Sequence, residues 1–163
     1  MPLGKPPRPM PVPESVRDMI ADLIGRSVEV DKRKAPIDLN DADAPVQTAA
    51  YVDANGGVLG ACIADLSLAA TVGAALAMMP SAVAEDAVRA GVLEEGLADN
   101  WHEVANVLTR LLNGPCVTHL RIGATTPGVP DDVRALTERA TSARHFAVTV
   151  MGYPGGSVSF YAV

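Results

Sequence analysis

Hydrophobic residues recur at helical spacing, or fill a whole helical surface, in five segments of the chain. In the first, Val16, Ile20 and Ile24 repeat every fourth position, which places them on one face of a helix. Asp65 and Ser81 each precede a later segment as expected N-terminal caps. The predicted helices cover residues 14–24, 66–79, 81–90, 97–113 and 131–140.

Shorter apolar runs between these helices predict strands at 27–30, 48–53, 58–64, 116–122, 145–151 and 157–162. Asn55 and Gly56 separate two of the runs, and this pair favours a hairpin turn because both residues tolerate positive φ. A second hairpin is expected around residues 152–156, whereas 31–45 and 123–130 are expected to be loops. Helices that alternate with hairpins predict an α+β fold. It would have a largely antiparallel sheet of about five to six strands with helices packed against it.

The composition limits the kinds of protein to which the chain can belong. The chain has 163 residues, 48% of them hydrophobic, which is enough for one domain with a core. A formal charge of -6 argues against general binding to nucleic acid or an anionic membrane, because both need an excess of Lys and Arg. Cys62 and Cys116 are each expected to be buried free thiols in strands. No signal peptide is recognisable, so a cytoplasmic protein is expected.

The proline content divides the chain into two unequal parts. Residues 1–13 hold a run of closely spaced prolines and are expected to form an extended, flexible arm. Residues 14–163 are expected to form a single domain.

The predicted helix 97–113 carries the most informative pattern. One stripe is apolar and consists of Leu97, Trp101, Val104, Ala105, Leu108, Leu111 and Leu112. The opposite stripe is polar and consists of Asp99, Glu103, Asn106 and Arg110. Any solvated helix face carries polar residues, but asparagine is less favourable in a helix than Glu, Lys or Gln by about half a kcal/mol. A carboxylate and a carboxamide one turn apart on a well-anchored helix could hold a reacting water or contact a partner.

Other candidate chemistry is weaker. His102 and Asn106 stand at the ligand positions of a His-Glu-x-x-His zinc motif, but asparagine is a poor zinc ligand, so no metal site is expected. Cys116 and His119 would point to opposite faces of their predicted strand and could not chelate one ion. The glycine-rich turn of the second hairpin lacks the lysine and the following helix of a phosphate-binding loop.

The polar stripe resembles the signature of the CheC/CheX/FliY family of chemotaxis phosphatases. That signature is Asp or Ser, three residues, Glu, two residues and Asn, with a proline farther along. Asp99, Glu103 and Asn106 match its first three positions, and Pro127 and Pro130 stand on either side of the expected proline.

The order of the predicted elements from 48 to 163 is also similar to that family. A single Glu-x-x-Asn is closer to CheX, because the first helix reads Glu14-Ser-Val-Arg17 and lacks the asparagine of a second centre. The resemblance implies a CheC/CheX-like fold, and it implies a homodimer.

The resemblance further implies a reaction carried out on a partner. A CheX-like phosphatase hydrolyses the aspartyl phosphate on the receiver domain of a response regulator. Glu103 would pair with the regulator's active-site lysine, and Asn106 would hold the attacking water in line with the phosphoryl group. Asp99 and Arg110 would be partner-binding residues. The chain would need no cofactor of its own, because the Mg²⁺ belongs to the regulator.

Arg110 departs from the family pattern, which usually has glycine or another small residue at that position. A bulky cation there either obstructs docking or pairs with the acidic pocket or the phosphate of a different regulator. This departure leaves open a non-catalytic interaction module in signalling or motility. A separate third alternative is a stress or dimerisation domain, which burial of the stripe in a subunit contact would favour.

Overall fold

The computed structural model describes residues 6–163, which contain five α-helices and six strands. The helices are α1 (Pro13–Ile24), α2 (Leu66–Leu76), α3 (Ser81–Ala90), α4 (Glu95–Leu108) and α5 (Asp131–Arg139), and a 3-10 turn (Thr109–Leu112) continues α4. The strands are β1 (Val28–Lys32), β2 (Val46–Val52), β3 (Val58–Asp65), β4 (Arg121–Pro127), β5 (Ser142–Val150) and β6 (Gly156–Ala162).

All six strands form one sheet in the order β1-β5-β6-β3-β2-β4, and every neighbouring pair is antiparallel. The two predicted hairpins, β2-β3 and β5-β6, are present, and β3 pairs with β6 to join them in the middle of the sheet. Strands β1 and β4 form the two edges. The predicted α+β fold with an antiparallel sheet and packed helices is therefore confirmed.

Helices cover both faces of the sheet. Neighbouring residues of β3 show the division, since Cys62 belongs to the larger core cluster and Ile63 to the smaller one. Helices α1 to α4 contribute to the larger cluster, whereas α5 contributes Val133 and Leu136 to the smaller cluster on the opposite face. None of the helices within residues 6–163 combines the length and the apolar composition that crossing a membrane requires.

The turn before β6 packs closely on the start of α2. Asp65 caps α2 as predicted, because its Oδ1 atom accepts a hydrogen bond from the Leu68 amide at 2.8 Å. Its Oδ2 atom accepts another from the Ser157 amide at 3.0 Å. A Cβ atom on Gly156 would collide with Asp65 Oδ1 and lie 2.7 Å from the Leu68 amide nitrogen, so the approach of the two segments requires glycine. Burial raises the pKa of the Asp65 carboxyl above its ordinary value.

The prediction for residues 116–130 is wrong. The strand begins at Arg121 and ends at Pro127, where a loop was expected, and residues 113–120 form the loop instead. The Asn113 side chain closes this loop by donating to the Leu120 carbonyl at 2.9 Å and accepting from the Leu120 amide at 2.8 Å. Strand β4 contains glycine and proline because it is an edge strand, where a proline loses no ladder hydrogen bond.

Two smaller predictions are also wrong. Cys116 is exposed in the loop 113–120, so it is neither buried nor in a strand, whereas Cys62 is buried as expected. Cys116 and His119 therefore do not share a strand, contrary to the prediction. Ser81 is the first residue of α3 rather than its cap; Pro80 holds the cap position without a side-chain hydrogen bond.

Residues 6–12 have no regular secondary structure, but they lie against the domain. The Arg8 guanidinium donates to the carbonyl oxygens of Leu112 and Thr118, each at 3.0 Å, and to that of Val163 at 3.3 Å. Pro11 is buried. The flexibility expected for the arm stays a prediction, and its residues 1–5 lie outside the described part of the chain.

Candidate functional site

The inner face of α4 is fixed in the larger core. Trp101 is 1% exposed, and Leu97, Val104, Ala105 and Leu108 are also buried, as the apolar stripe predicts. The 3-10 turn adds Leu112, which is fully buried, whereas Leu111 is partly exposed. Burial of this many apolar side chains holds the helix in one orientation on the sheet.

The outer face of α4 presents the predicted polar stripe to solvent. Asp99, Glu103, Asn106 and Arg110 are all exposed, and the first three lie within α4 while Arg110 lies in the 3-10 turn. Within residues 6–163, none of the four side chains makes a hydrogen bond or an ion pair. The structure therefore brings the four predicted site residues together on one open surface, and their functional roles stay predictions.

The two flanks of this stripe are held by side-chain hydrogen bonds to neighbouring elements. On one flank, Asn100 Nδ2 donates to the Gly73 carbonyl of α2 at 3.0 Å. Gly73 permits the close crossing of the two helices, since a Cβ atom there would lie 3.0 Å from the Leu97 carbonyl oxygen. On the other flank, His102 Nδ1 and Thr125 Oγ1 of β4 are 3.0 Å apart and hydrogen-bonded. These contacts limit rotation of α4 about its axis.

The C-terminal end of α4 is fixed as well. The buried Tyr51 hydroxyl of β2 donates to the Ala105 carbonyl at 2.7 Å. Desolvation raises the pKa of Tyr51 well above its ordinary value, so this hydroxyl stays protonated and remains a donor. Burial likewise raises the pKa of the neighbouring Cys62 thiol to about 12, which makes a reactive thiolate beneath the helix unfavourable. At the last residue of the 3-10 turn, the Arg8 guanidinium donates to the Leu112 carbonyl.

The other candidate sites considered in the sequence, a metal site and a phosphate-binding loop, are not formed in the described part of the chain. Within residues 6–163, no group of three or more His, Cys, Asp or Glu side chains is arranged to hold a metal ion. His102 is hydrogen-bonded to Thr125. It therefore lies on one flank of the polar stripe to which Glu103 belongs. The glycine-rich segment before β6 is the turn of a hairpin, as expected.

Sequence reasoning missed the residues that support the site. Asn100 and His102 lie on the predicted helix, but their partners in α2 and β4 are distant in sequence. The one available signal was Asn100 itself, which, like Asn106, is an asparagine in a helix interior. Arg8 was assigned to a flexible arm and gave no signal.

Comparison with solved structures shows which fold this is. The chain matches FliY from Thermotoga maritima with a TM-score of 0.53 over 91% of this chain and 82% of that chain, at 10% identity. It matches CheX in the CheX-CheY-BeF3-Mg²⁺ complex from Borrelia burgdorferi with a TM-score of 0.51 over 90% and 91% of the two chains, at 13% identity. The FliM middle domain from H. pylori has a TM-score of 0.47, over 92% and 84%, at 8% identity.

No protein-family model matches the sequence, and no curated protein matches it in sequence. The likeness is therefore one of structure, and it shows that the chain has the CheC/CheX/FliY fold.

Proposed function

We propose that this protein is a CheX-like phosphatase that hydrolyses the aspartyl phosphate of a response regulator in two-component signalling. The observation that carries the proposal is the common exposure of Glu103 and Asn106 on the outer face of an α4 that is fixed from below and on both flanks. The fold supports it, since one structure with this fold is a CheX bound to CheY, BeF3 and Mg²⁺.

Asn106 is the proposed catalytic residue. Its carboxamide holds a water molecule in line with the phosphorus atom of the docked regulator. The water oxygen bonds to phosphorus while the bond from phosphorus to the aspartyl oxygen breaks, and the carboxylate leaves with the electron pair. The water proton passes to solvent, and the products are inorganic phosphate and the free aspartate. Orienting the water supplies most of the acceleration, because a net hydrogen bond contributes only about 1 kcal/mol.

Glu103 and its neighbours position the regulator in this proposal. The Glu103 carboxylate pairs with the regulator's active-site lysine, in a charge-assisted contact that fixes the distance between Asn106 and the phosphoryl group. Asp99 and Arg110 contact the rim of the regulator's pocket. The regulator supplies the Mg²⁺ that offsets the charge on the phosphoryl oxygens, so this chain contributes positioning alone.

The test follows acid-labile phosphate on a set of phosphorylated receiver domains at a low ratio of this protein to receiver. We expect the wild type to shorten the phosphate lifetime on at least one receiver. Asn106→Ala should abolish most of that effect, and Glu85→Ala, an exposed position on the outer face of α3, should leave it intact. Equal phosphate lifetimes with and without the wild type on every receiver would refute the enzymatic proposal.

Arg110 favours a second candidate function, a non-catalytic interaction module. Its guanidinium is exposed on the same face as Asn106 and has no ion-pair partner within residues 6–163. It is thus available to bind an acidic pocket without leaving room for a reacting water. This candidate predicts that Arg110→Glu weakens binding to a receiver that the wild type binds but does not dephosphorylate. Unchanged binding by Arg110→Glu would rule it out.

A further inference from the structure

A groove of about 510 Å³ runs between α1 and the C-terminal end of α4. Its apolar floor consists of half-buried side chains from both helices, which are Met19, Leu23, Val107 and Leu111. The α1 side of the groove extends from residue 15 to residue 23, a length of about 12 Å along the helix axis. This length matches about two turns of another helix.

The two walls of the groove differ in charge. Asp18 and Asp22 are exposed one turn apart on the α1 wall. Asp18 pairs with Arg17 at 2.9 Å, but this exposed pair contributes little, and Asp22 has no ion pair within residues 6–163. Arg110 lies on the opposite wall and also belongs to the polar stripe of α4. The groove is therefore continuous with the candidate site and more acidic on the side away from it.

We propose that this groove binds an amphipathic helix of a partner protein that carries a narrow apolar stripe flanked on one side by Lys or Arg. Apolar side chains at helical spacing would cover Met19, Leu23 and Leu111. The basic flank would lie along Asp18 and Asp22. Helix-in-groove binding of this type uses apolar anchors for affinity and flanking charges for orientation.

Charge and geometry favour this occupant over the alternatives. A second copy of the chain carries a net charge of -6 and would bring its own acidic α1 wall to the contact, with few cations to offset it. A partner strand would find no free edge here, because both walls are helices whose backbone groups are already bonded internally. A basic amphipathic helix meets neither obstacle.

The inference goes beyond the proposed function, because it concerns a second contact surface beside the site and does not depend on phosphate hydrolysis. The probe is a fluorescein-labelled helical peptide of about 16 residues with leucines in one stripe and lysines on its flank. Fluorescence anisotropy with the full chain measures its affinity. We expect micromolar binding, and at least about tenfold weaker binding of two controls. One control has the same composition with the stripe scrambled, and the other has glutamate in place of lysine.

Charge-reversal variants assign the binding to the groove. Asp18→Lys combined with Asp22→Lys should reverse the preference, so that the glutamate peptide binds more tightly than the lysine peptide. Glu85→Lys combined with Glu138→Lys changes the net charge equally at exposed positions on α3 and α5, and should keep the original preference. Circular dichroism confirms that both double variants are folded.

Three results would overturn the proposal. One is equal binding of the stripe and scrambled peptides, which would show general attraction of a cationic peptide. Another is an equal loss of affinity in both double variants. The third is a dimer of the wild type in sedimentation that Met19→Lys dissociates, which would assign the groove to a second copy. Asn106→Ala should leave peptide binding unchanged, so failure of this proposal is distinguishable from failure of the proposed phosphatase activity.

Discussion

Helices α1 and α4 are in contact on the same face of the sheet, and both are amphipathic, but they differ in the side-chain hydrogen bonds that hold them in place. Both bury an apolar stripe and both expose acidic side chains. The side-chain hydrogen bonds of α1 are local, joining Ser15 to Val12 and Arg17 to Asp18. Those of α4 reach other elements, from Asn100 to α2 and from His102 to β4.

This difference indicates which helix is held rigidly enough to position an exposed side chain for catalysis. An amphipathic helix held only by its apolar stripe keeps some freedom to rotate and shift. Hydrogen bonds on both flanks restrict that freedom, so α4 presents its outer side chains from a fixed backbone. Helix α1 also has a Glu at position 14, but Arg17 stands where α4 has its asparagine. The comparison therefore predicts phosphate hydrolysis on α4 and not on α1.

The largest expected effect is on the buried stripe of α4. Trp101→Ala should lower the free energy of unfolding by about 3–5 kcal/mol, because it removes a fully buried aromatic ring and leaves a cavity. On α1, Met19→Ala removes a half-buried side chain from the floor of the groove and should cost about 1 kcal/mol. Urea unfolding followed by circular dichroism measures both. Equal losses would contradict the deep burial of Trp101 beneath α4.

The next effect is on the charge of the outer face. Glu103→Gln should slow phosphate release from a responsive receiver about tenfold, because a charge-assisted contact to the regulator becomes a neutral one. Glu14→Gln makes the same change on α1 and should leave the rate unaltered. A loss caused equally by both variants would mean that net charge, rather than position on α4, controls the reaction.

Loss of a flank contact should have a smaller effect. Asn100→Ala removes the hydrogen bond to Gly73 and should cost about 1 kcal/mol of stability. It should also slow phosphate release several-fold, because α4 is less firmly oriented. Ser15→Ala removes the Ser15-Val12 hydrogen bonds at the start of α1 and should cost a similar amount without slowing the reaction. Equal rates for the two variants would contradict the role given to the flanks.

The smallest effect should come from copying the motif onto α1. Arg17→Asn creates a second Glu-x-x-Asn at the same spacing, with an exposed side chain. In an Asn106→Ala background it should restore no phosphatase activity, because the outer face of α1 has no side-chain hydrogen bonds to other elements within residues 6–163. The assay is the same phosphate-lifetime measurement. Restored activity would show that spacing on any exposed helix is sufficient.

Helix α4 was predicted well because the residues that define its buried and exposed sides are close together in sequence. The period of Leu97, Trp101 and Val104 defines the buried side, and the exposure of Glu103 and Asn106 follows from the same arithmetic. The two hairpins were predictable for a similar reason, since their turns contain glycine between apolar runs.

Strand β4 was misplaced because its formation depends on tertiary structure. The run 116–122 is more apolar than 121–127, so a local interpretation favours the wrong segment. Strand β4 instead forms by pairing with β2, which is far away in sequence, at a sheet edge that accepts Gly123 and Pro127. The contacts of Arg8 could not be predicted for the same reason, since its hydrogen-bond partner Val163 is 155 positions away.

The most direct test of the central claim is the rate at which isotopically heavy oxygen from water enters inorganic phosphate during receiver dephosphorylation. If Asn106 orients the attacking water, the wild type should raise this rate well above that of the receiver alone. Asn106→Ala should return the rate close to that of the receiver alone while the variant still binds the receiver. A wild type without effect, or an Asn106→Ala variant as fast as the wild type, would contradict the central claim.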